Sequence, residues 1–373
     1  MPSPEIPAAR PATAGAAPRD LPYALLRAWD IGAPGVPVRP PESESGVPGG
    51  LRPAPSGANN LTWVVACGAA RYILRVQLND FTLDALRWEH ALLGRLAGAG
   101  LSFAVPAPLP ARSGETLVLA RGAGLNGADA WAALFPVLPG AHPRAEDREP
   151  ALLGALGSAL GELDAALARV GATLDWRAIP TYGQLDRIHP LVPDPYALPE
   201  DIGLSADELG ALYRVIRSTW EAVPQLYATL PQQVIHSDYV NGNVLVLDGR
   251  VSAVLDFEFA DRDLRAMDPA TALYGMARGP WRPGGRWEEI EAVARGYAAR
   301  QPLRGEEVAA LPVLLRLRLV VGILHWMGRW RQGAADPQSV CGGTRAVLRL
   351  DGWLAAHGAE LVERATSWLG QSA

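Results

Sequence analysis

The chain has 373 residues, enough for two cores of ordinary domain size, and its 49% hydrophobic and 20% charged residues describe a globular protein. A formal net charge of -5 argues against nucleic acid as a partner, because a phosphate-binding surface would be basic. No lysine occurs, so all 34 Lys+Arg residues are arginines; a Schiff-base lysine, a pyridoxal-phosphate anchor and a GxxxxGK phosphate loop are thereby excluded. Cys67 and Cys341 stand far apart without metal-ligand spacing, so neither a disulfide framework nor a zinc site is expected. The N-terminal residues lack the apolar core of a signal peptide, and the most apolar helical run is broken by Arg316 and Arg318. A cytoplasmic protein with a small-molecule partner, and no membrane partner, is the expectation.

Residues 1–20 are rich in Pro and Ala without periodicity and read as a disordered leader. From Leu21, PYALLRAWD has apolar residues at helical spacing, and Pro34 to Pro55 is too dense in Pro and Gly for regular structure. The runs LTWVVA and RYILRV, separated by Cys67-Gly68-Ala69-Ala70, predict a hairpin rich in β-branched and aromatic residues. Leu83, Leu86, Ala91, Leu92 and Leu96 then keep helical spacing until Gly98 and Gly100 end the helix. ETLVLA and WAALFPVLPG read as two more strands. A long apolar helix follows from about Glu149, then an irregular stretch over 179–200 containing five prolines, then a helix ending near Leu230. Beyond Asp268 the pattern is helical apart from GPWRPGGRW; one strongly apolar helix is expected from Val313 to about Trp330 and one or two more after it. No internal repeat is present.

The stretch VIHSDYVNGNVLVLDGRVSAVLDFEFADRDLRAMD, Val234 to Asp268, concentrates polar chemistry where a core should be apolar. His236, Asp238 and Asn243 stand at HxDxxxxN spacing, and a turn at Asp248-Gly249-Arg250 leads to a second apolar run that delivers Asp256 beside Phe257. Phosphoryl transfer uses such residues: a carboxylate beside the attacking hydroxyl, and an amide oxygen with a second carboxylate holding a magnesium ion that screens the nucleotide phosphates.

On these residues the chain resembles the aminoglycoside phosphotransferase and choline kinase family of the protein-kinase-like superfamily, and its LDFEFA ending is similar to bacterial small-molecule kinases of the homoserine-kinase type. Ser237 departs from the His-Gly-Asp usual there. The resemblance implies an α+β, two-lobed protein-kinase-like fold. Residues 21–138 would form a nucleotide-binding lobe with an antiparallel sheet and one main helix, and residues 139–373 a larger, mainly helical lobe for catalysis and acceptor binding. It also implies an enzyme that moves the γ-phosphate of ATP or GTP to a hydroxyl of a small molecule with Mg2+.

In that reading Asp238 is the catalytic base, and Asn243 and Asp256 are the metal ligands. Arg75 takes the place of the phosphate-binding lysine, and Glu89 pairs with it; a strand-end charge and a solvated helix-face carboxylate are their plain alternatives. Ser56 and Gly57 lie where the family places a loop over the phosphates, and Pro136, Val137 and Leu138 where adenine meets backbone groups. His236 and Asp268 support the catalytic loop. Asp164 stands where relatives often carry His, and no chemistry is assigned to it. Glu258 and Asp261 are candidate acceptor contacts, with solvated loop carboxylates as the alternative for Asp261 and Asp263. His325 and Trp326, with Arg329 and Trp330, stand on a helix that lines the acceptor pocket in relatives, and core packing is the alternative for them. Homoserine or another amino alcohol is the favoured acceptor. An aminoglycoside or other sugar, a choline-like amine, and a catalytically silent nucleotide-binding protein remain as alternatives, and oligomeric state is left open.

Overall fold

A computed structural model of the protein describes residues 21–31, 51–53, 60–78, 82–124, 127–144, 146–174, 179–197 and 202–370. The predicted leader, residues 1–20, lies outside them, as do Ser56 and Gly57. Two compact units divide the chain: one holds Val105–Leu138 with the described part of Ala8–Ala97, the other Gly98–Ala104 with Pro139–Ala373.

The first unit is built on an antiparallel sheet of order β1-β2-β3-β5-β4, formed by β1 (Leu51–Pro53), β2 (Asn60–Cys67), β3 (Ala70–Gln77), β4 (Val118–Ala120) and β5 (Ala130–Pro136). β2 and β3 pair from Asn60 opposite Gln77 to Cys67 opposite Ala70, and the tight turn between them places Gly68 at φ 60°, where a Cβ would be strained. One face buries Val65, Leu74, Val76, Ala132 and Leu134 together with Leu25, Leu26 and Trp29 near the helix α1 (Leu21–Leu26). The amphipathic helix α2 (Leu83–Ala97) buries Leu86, Leu92 and Leu96 of the predicted stripe and also Leu93, Glu89 and His90, while Ala91, expected on that stripe, is exposed.

The second unit is mainly helical: α3 (Pro150–Gly171), α4 (Ala206–Thr229), α5 (Met267–Gly275), α6 (Trp287–Ala298), α7 (Gly305–Arg331) and α8 (Pro337–Leu369). Two small antiparallel pairs sit among them: β6 (Gln232–Ile235) with β9 (Asp261–Leu264), and β7 (Val244–Leu247) with β8 (Arg250–Val254). Both Asp248 (φ 52°) and Gly249 (φ 74°) are left-handed between β7 and β8, the requirement of a two-residue Asp-Gly hairpin. The excursion Gly98–Ala104 joins this unit by hydrogen bonding, since Ala104 N–H donates to Ser252 O at 2.9 Å, Val254 N–H donates to Ala104 O at 3.0 Å, and Ser102 Oγ donates to Glu162 at 2.8 Å.

α7 begins earlier than its apolar run, because Glu307 accepts the Arg304 N–H at 2.9 Å and caps its first turn. α8 is a single helix of 33 residues. α3 and α7 are long and apolar enough to cross a membrane, yet 56% and 50% of their most apolar windows are buried against the rest of the protein, as in core helices.

α3 and α6 approach through glycine. A Cβ on Gly157 would lie 2.0 Å from Val293 O, and one on Gly296 would lie 2.1 Å from Gly154 O. Substituting Gly157→Ala is therefore expected to destabilise the protein by about 2–3 kcal/mol, read as a lowered midpoint in urea unfolding. In the first unit, burial lowers the His90 imidazole to about 4, with its Nδ1 2.7 Å from Thr116 Oγ1. A base depressed by folding contributes stability that is present above its ordinary value of 6.5 and lost as pH falls toward 4. The unfolding free energy should therefore decline over that window, and His90→Gln should flatten the decline.

Candidate active site

The polar centre of the second unit is fixed by a carboxylate with no exposure to solvent. Asp268, in the first turn of α5, accepts the N–H of His236 at 2.6 Å and of Ser237 at 2.8 Å. That grip bends the chain where β6 ends. Ser237 takes φ 71°, a left-handed conformation that costs an L-residue about 1–2 kcal/mol, and its carbonyl accepts the Tyr182 hydroxyl. Left-handed backbone at this position is the physical reason a glycine would suit it.

The His236 ring is held on both nitrogens. Nδ1 accepts the Asp238 N–H at 3.2 Å, so Nε2 carries the proton and donates to Leu255 O at 2.9 Å. Phe257 packs on the ring with centroids 4.6 Å apart. His236 thus ties the Asp238 loop to the end of β8, and its geometry is that of a brace.

Asp238 is held through both carboxylate oxygens. Asn243, in a single 3-10 turn at Asn241–Asn243, donates Nδ2–H to Asp238 O and Oδ2, both at 2.9 Å. Arg318 of α7 donates Nη2–H to Oδ1 at 2.7 Å. With both amide hydrogens committed, the Asn243 Oδ1 points away from Asp238. Leu255 N–H donates to Asn243 O at 2.8 Å, which sets the next residue, Asp256, close to Asn243. Asp256 is itself left-handed at φ 63°, a state that Asp tolerates better than most residues.

Beneath Asp268 lies Asp164 of α3, also fully buried, whose Oδ2 accepts the Tyr297 hydroxyl at 2.9 Å. Burial, then the charge of Asp268, pushes the Asp164 carboxyl well above the usual carboxylate range, so Asp164 is neutral; burial raises Asp268 as well, opposed by His236 and the two backbone N–H bonds that favour its charged form. The position that carries no assigned chemistry in the sequence is thus the floor of the site. Asp261 and Asp263 are strand residues of β9, neither solvated loop carboxylates nor open acceptor contacts. Asp261 accepts the N–H of Ile179 at 3.2 Å and of Arg262 at 2.7 Å. Asp263 accepts from Tyr182 N–H, the Tyr227 hydroxyl and Leu264 N–H, and burial raises it to about 6. Glu258 is buried as well.

His325 and Trp326 lie on α7. The His325 ring meets Phe259, Trp326 and His189 edge-on with centroids 5.7, 5.6 and 6.4 Å apart. Burial first, and then Arg329, His189 and Arg318, depress this imidazole to about 3, so it is neutral.

The first unit holds a separate ion pair. Arg75 of β3 donates to Glu89 at 2.9 Å, with the two side chains 14% and 1% exposed, and its guanidinium stands 4.7 Å from the Phe135 ring centroid. Among the three residues expected to meet adenine, Pro136 has no N–H, and the Val137 N–H donates to Arg71 O at 3.1 Å, continuing the β3–β5 edge. Carbonyls and the Leu138 N–H are the groups left to consider there.

Arg318 and Tyr182 escaped the sequence reading. Arg318 was legible only as a charge inside an apolar helix, an anomaly that marks a side chain with a polar partner.

The family model of the phosphotransferase enzyme family matches residues 50–309, a span that includes both ion-pair residues of the first unit and the whole Asp238 loop. The chain belongs to this family. A homoserine kinase of Xanthobacter autotrophicus is 32% identical over 286 residues, covering 73% of this chain and 79% of that kinase. A microcompartment-associated aminopropanol kinase shares the fold with a TM-score of 0.66 at 20% identity, over 93% of this chain and 99% of that one. An amicoumacin kinase solved with AMP-PNP and Ca2+ has a TM-score of 0.58 at 15% identity, over 81% and 88% of the two chains. The protein is a small-molecule kinase with an α+β, two-lobed protein-kinase-like fold.

A glycine at the left-handed site should relieve strain. Ser237→Gly is expected to stabilise the protein by about 1 kcal/mol, seen as a higher urea midpoint with an unchanged slope. A lower midpoint would show that the serine side chain contributes more than the strain costs.

Proposed function

We propose that this kinase transfers the γ-phosphate of ATP or GTP to the hydroxyl of homoserine or a closely related amino alcohol, with Asp238 as the base. The observation that carries the reading is the fixed carboxylate: Asp238, braced by Asn243 and by the His236 loop, with a second carboxylate, Asp256, directly after Leu255, whose N–H donates to Asn243 O. Asp238 orients the acceptor hydroxyl and takes its proton on a carboxylate oxygen as the oxygen attacks phosphorus. The His236 brace and Asp268 keep that oxygen in place without entering the chemistry.

The donor set fits magnesium, a hard ion that takes oxygen ligands and keeps several positions for water and phosphate. Asn243 Oδ1 and the Asp256 carboxylate would hold it, and when bound it neutralises charge on the nucleotide phosphates. Arg75 is the phosphate-facing cation of the first unit. Glu89 and the Phe135 ring restrict its rotamers, and a guanidinium stays charged at any working pH. The homoserine kinase relatives support the acceptor, and the aminopropanol kinase fold keeps a plain amino alcohol as the second reading. A cytoplasmic location goes with the same reading.

The test is a coupled assay with ATP and GTP against homoserine, aminopropanol, choline and an aminoglycoside. Transfer to homoserine is expected. Asp238→Asn should lower kcat by about a thousandfold while the melting temperature stays near wild type. A folded Asp238→Asn enzyme with wild-type turnover would remove the base assignment.

A further inference from the structure

We propose that Arg318 anchors the carboxylate of the acceptor, so that the acceptor is a hydroxy amino acid and not an amino alcohol lacking a carboxylate. This rests on the kinase reading above and narrows its acceptor class.

α7 is an apolar core helix, and a guanidinium on it is an expensive choice unless its donors are used. Arg318 is 21% exposed, and its Nη2 donates to Asp238 Oδ1 at 2.7 Å. A guanidinium carries five N–H donors arranged for bidentate capture of a carboxylate, and Asp238 takes it through one nitrogen. Its Nη1 lies over Gly322, 3.6 Å from where a Cβ would stand, so the glycine leaves room there for the guanidinium.

The surroundings favour an anion. On α7, residues 318, 322, 325 and 329 fall on one helical face, which brings Arg318, the neutral His325 and the buried Arg329 into line. A quaternary ammonium held by His325 and Trp326 would sit beside two guanidinium groups, and a polycationic sugar would meet the same repulsion. A carboxylate is the complementary group.

Dimensions agree. In a four-carbon hydroxy amino acid the hydroxyl oxygen and the carboxylate are about 4–5 Å apart by ordinary bond lengths, a reach that suits a hydroxyl on Asp238 and a carboxylate on the neighbouring guanidinium. Binding would also redistribute the contacts: as the ligand carboxylate takes the fork, Asp238 Oδ1 is released to receive the hydroxyl proton. An acceptor without the carboxylate would leave the base capped by Arg318, which links acceptor choice to turnover as well as to affinity.

The experiment compares L-homoserine with homoserinol, the same chain with a hydroxymethyl group for the carboxylate, in the wild type, Arg318→Gln and Arg318→Lys at saturating nucleotide and Mg2+. The ratio of kcat/KM for the two acceptors is the readout, because partial misfolding lowers both values equally and leaves the ratio intact. A wild-type preference for homoserine of about 100-fold is expected, falling to near unity in Arg318→Gln with KM for homoserine raised about tenfold or more, and partly retained in Arg318→Lys. A wild type that phosphorylates homoserinol as well as homoserine, or an Arg318→Gln enzyme that keeps the wild-type ratio, overturns the anchor and leaves the kinase reading standing. No transfer to either acceptor or to any other amino alcohol would instead bring down the proposed function.

Discussion

The geometry around Asp238 depends on one buried carboxylate that faces backbone. Burying a charge is costly unless hydrogen bonds replace its hydration, and Asp268 has two, from consecutive N–H groups of the chain at the end of β6. Because both donors belong to one short segment, the price of burial is converted into a fixed bend: Ser237 is forced left-handed, the His236 ring turns toward Leu255, and Asp238 follows with its N–H on that ring. Asp164 beneath it has to be neutral for the pair to coexist, since two ionised carboxylates in one dry site would repel strongly. The Tyr297 hydroxyl completes the floor. A chain of buried contacts therefore runs from Tyr297 of α6 through Asp164 of α3 and Asp268 of α5 to the loop that carries Asp238.

In the first unit the same logic applies with the opposite sign. Glu89 is 1% exposed, so it needs a permanent counter-charge, and a lysine-free chain can supply only arginine. Arginine has consequences: its planar head stacks on Phe135 while one edge meets Glu89, which leaves its orientation well defined. His90, the next residue on α2, is correspondingly kept neutral by burial, and the neighbouring Arg75 adds to the effect. Two adjacent titratable positions on one helix thus resolve into one carboxylate with a partner and one imidazole without charge.

What could be read from the chain alone follows the range of the interactions. The β2–β3 hairpin, α2 and the β7–β8 turn are set by periodicity and by local turn chemistry, and they were legible. The grouping of His236, Asp238, Asn243 and Asp256 was legible for the same reason, being confined to one hairpin and its flanks. Arg318 was not, because its bond to Asp238 spans 80 residues and a charge on an apolar helix names no partner. Asp261 and Asp263 look like a solvated acidic tail in one dimension. In three dimensions β6 recruits them as β9, and their carboxylates are turned inward to fasten 179–182 to the sheet. Asp164 was passed over because its importance lies in its protonation, which comes first from its own burial and then from the charge of Asp268, and cannot be seen in a residue type.

The contact between α7 and the catalytic loop joins two properties that are often separable. A carboxylate held by Asn243 alone would keep its position whatever bound beside it. Here the second oxygen is held by a side chain from a distant helix, so in the proposed reading a ligand carboxylate beside α7 would compete with Asp238 for the Arg318 guanidinium. Selectivity of that kind would act on the proposed base itself, and mere occupancy of the pocket would be insufficient. It follows that acceptor preference in this kinase would be altered most economically at α7, while changes among the inward-facing carboxylates of β9 would act chiefly on folding.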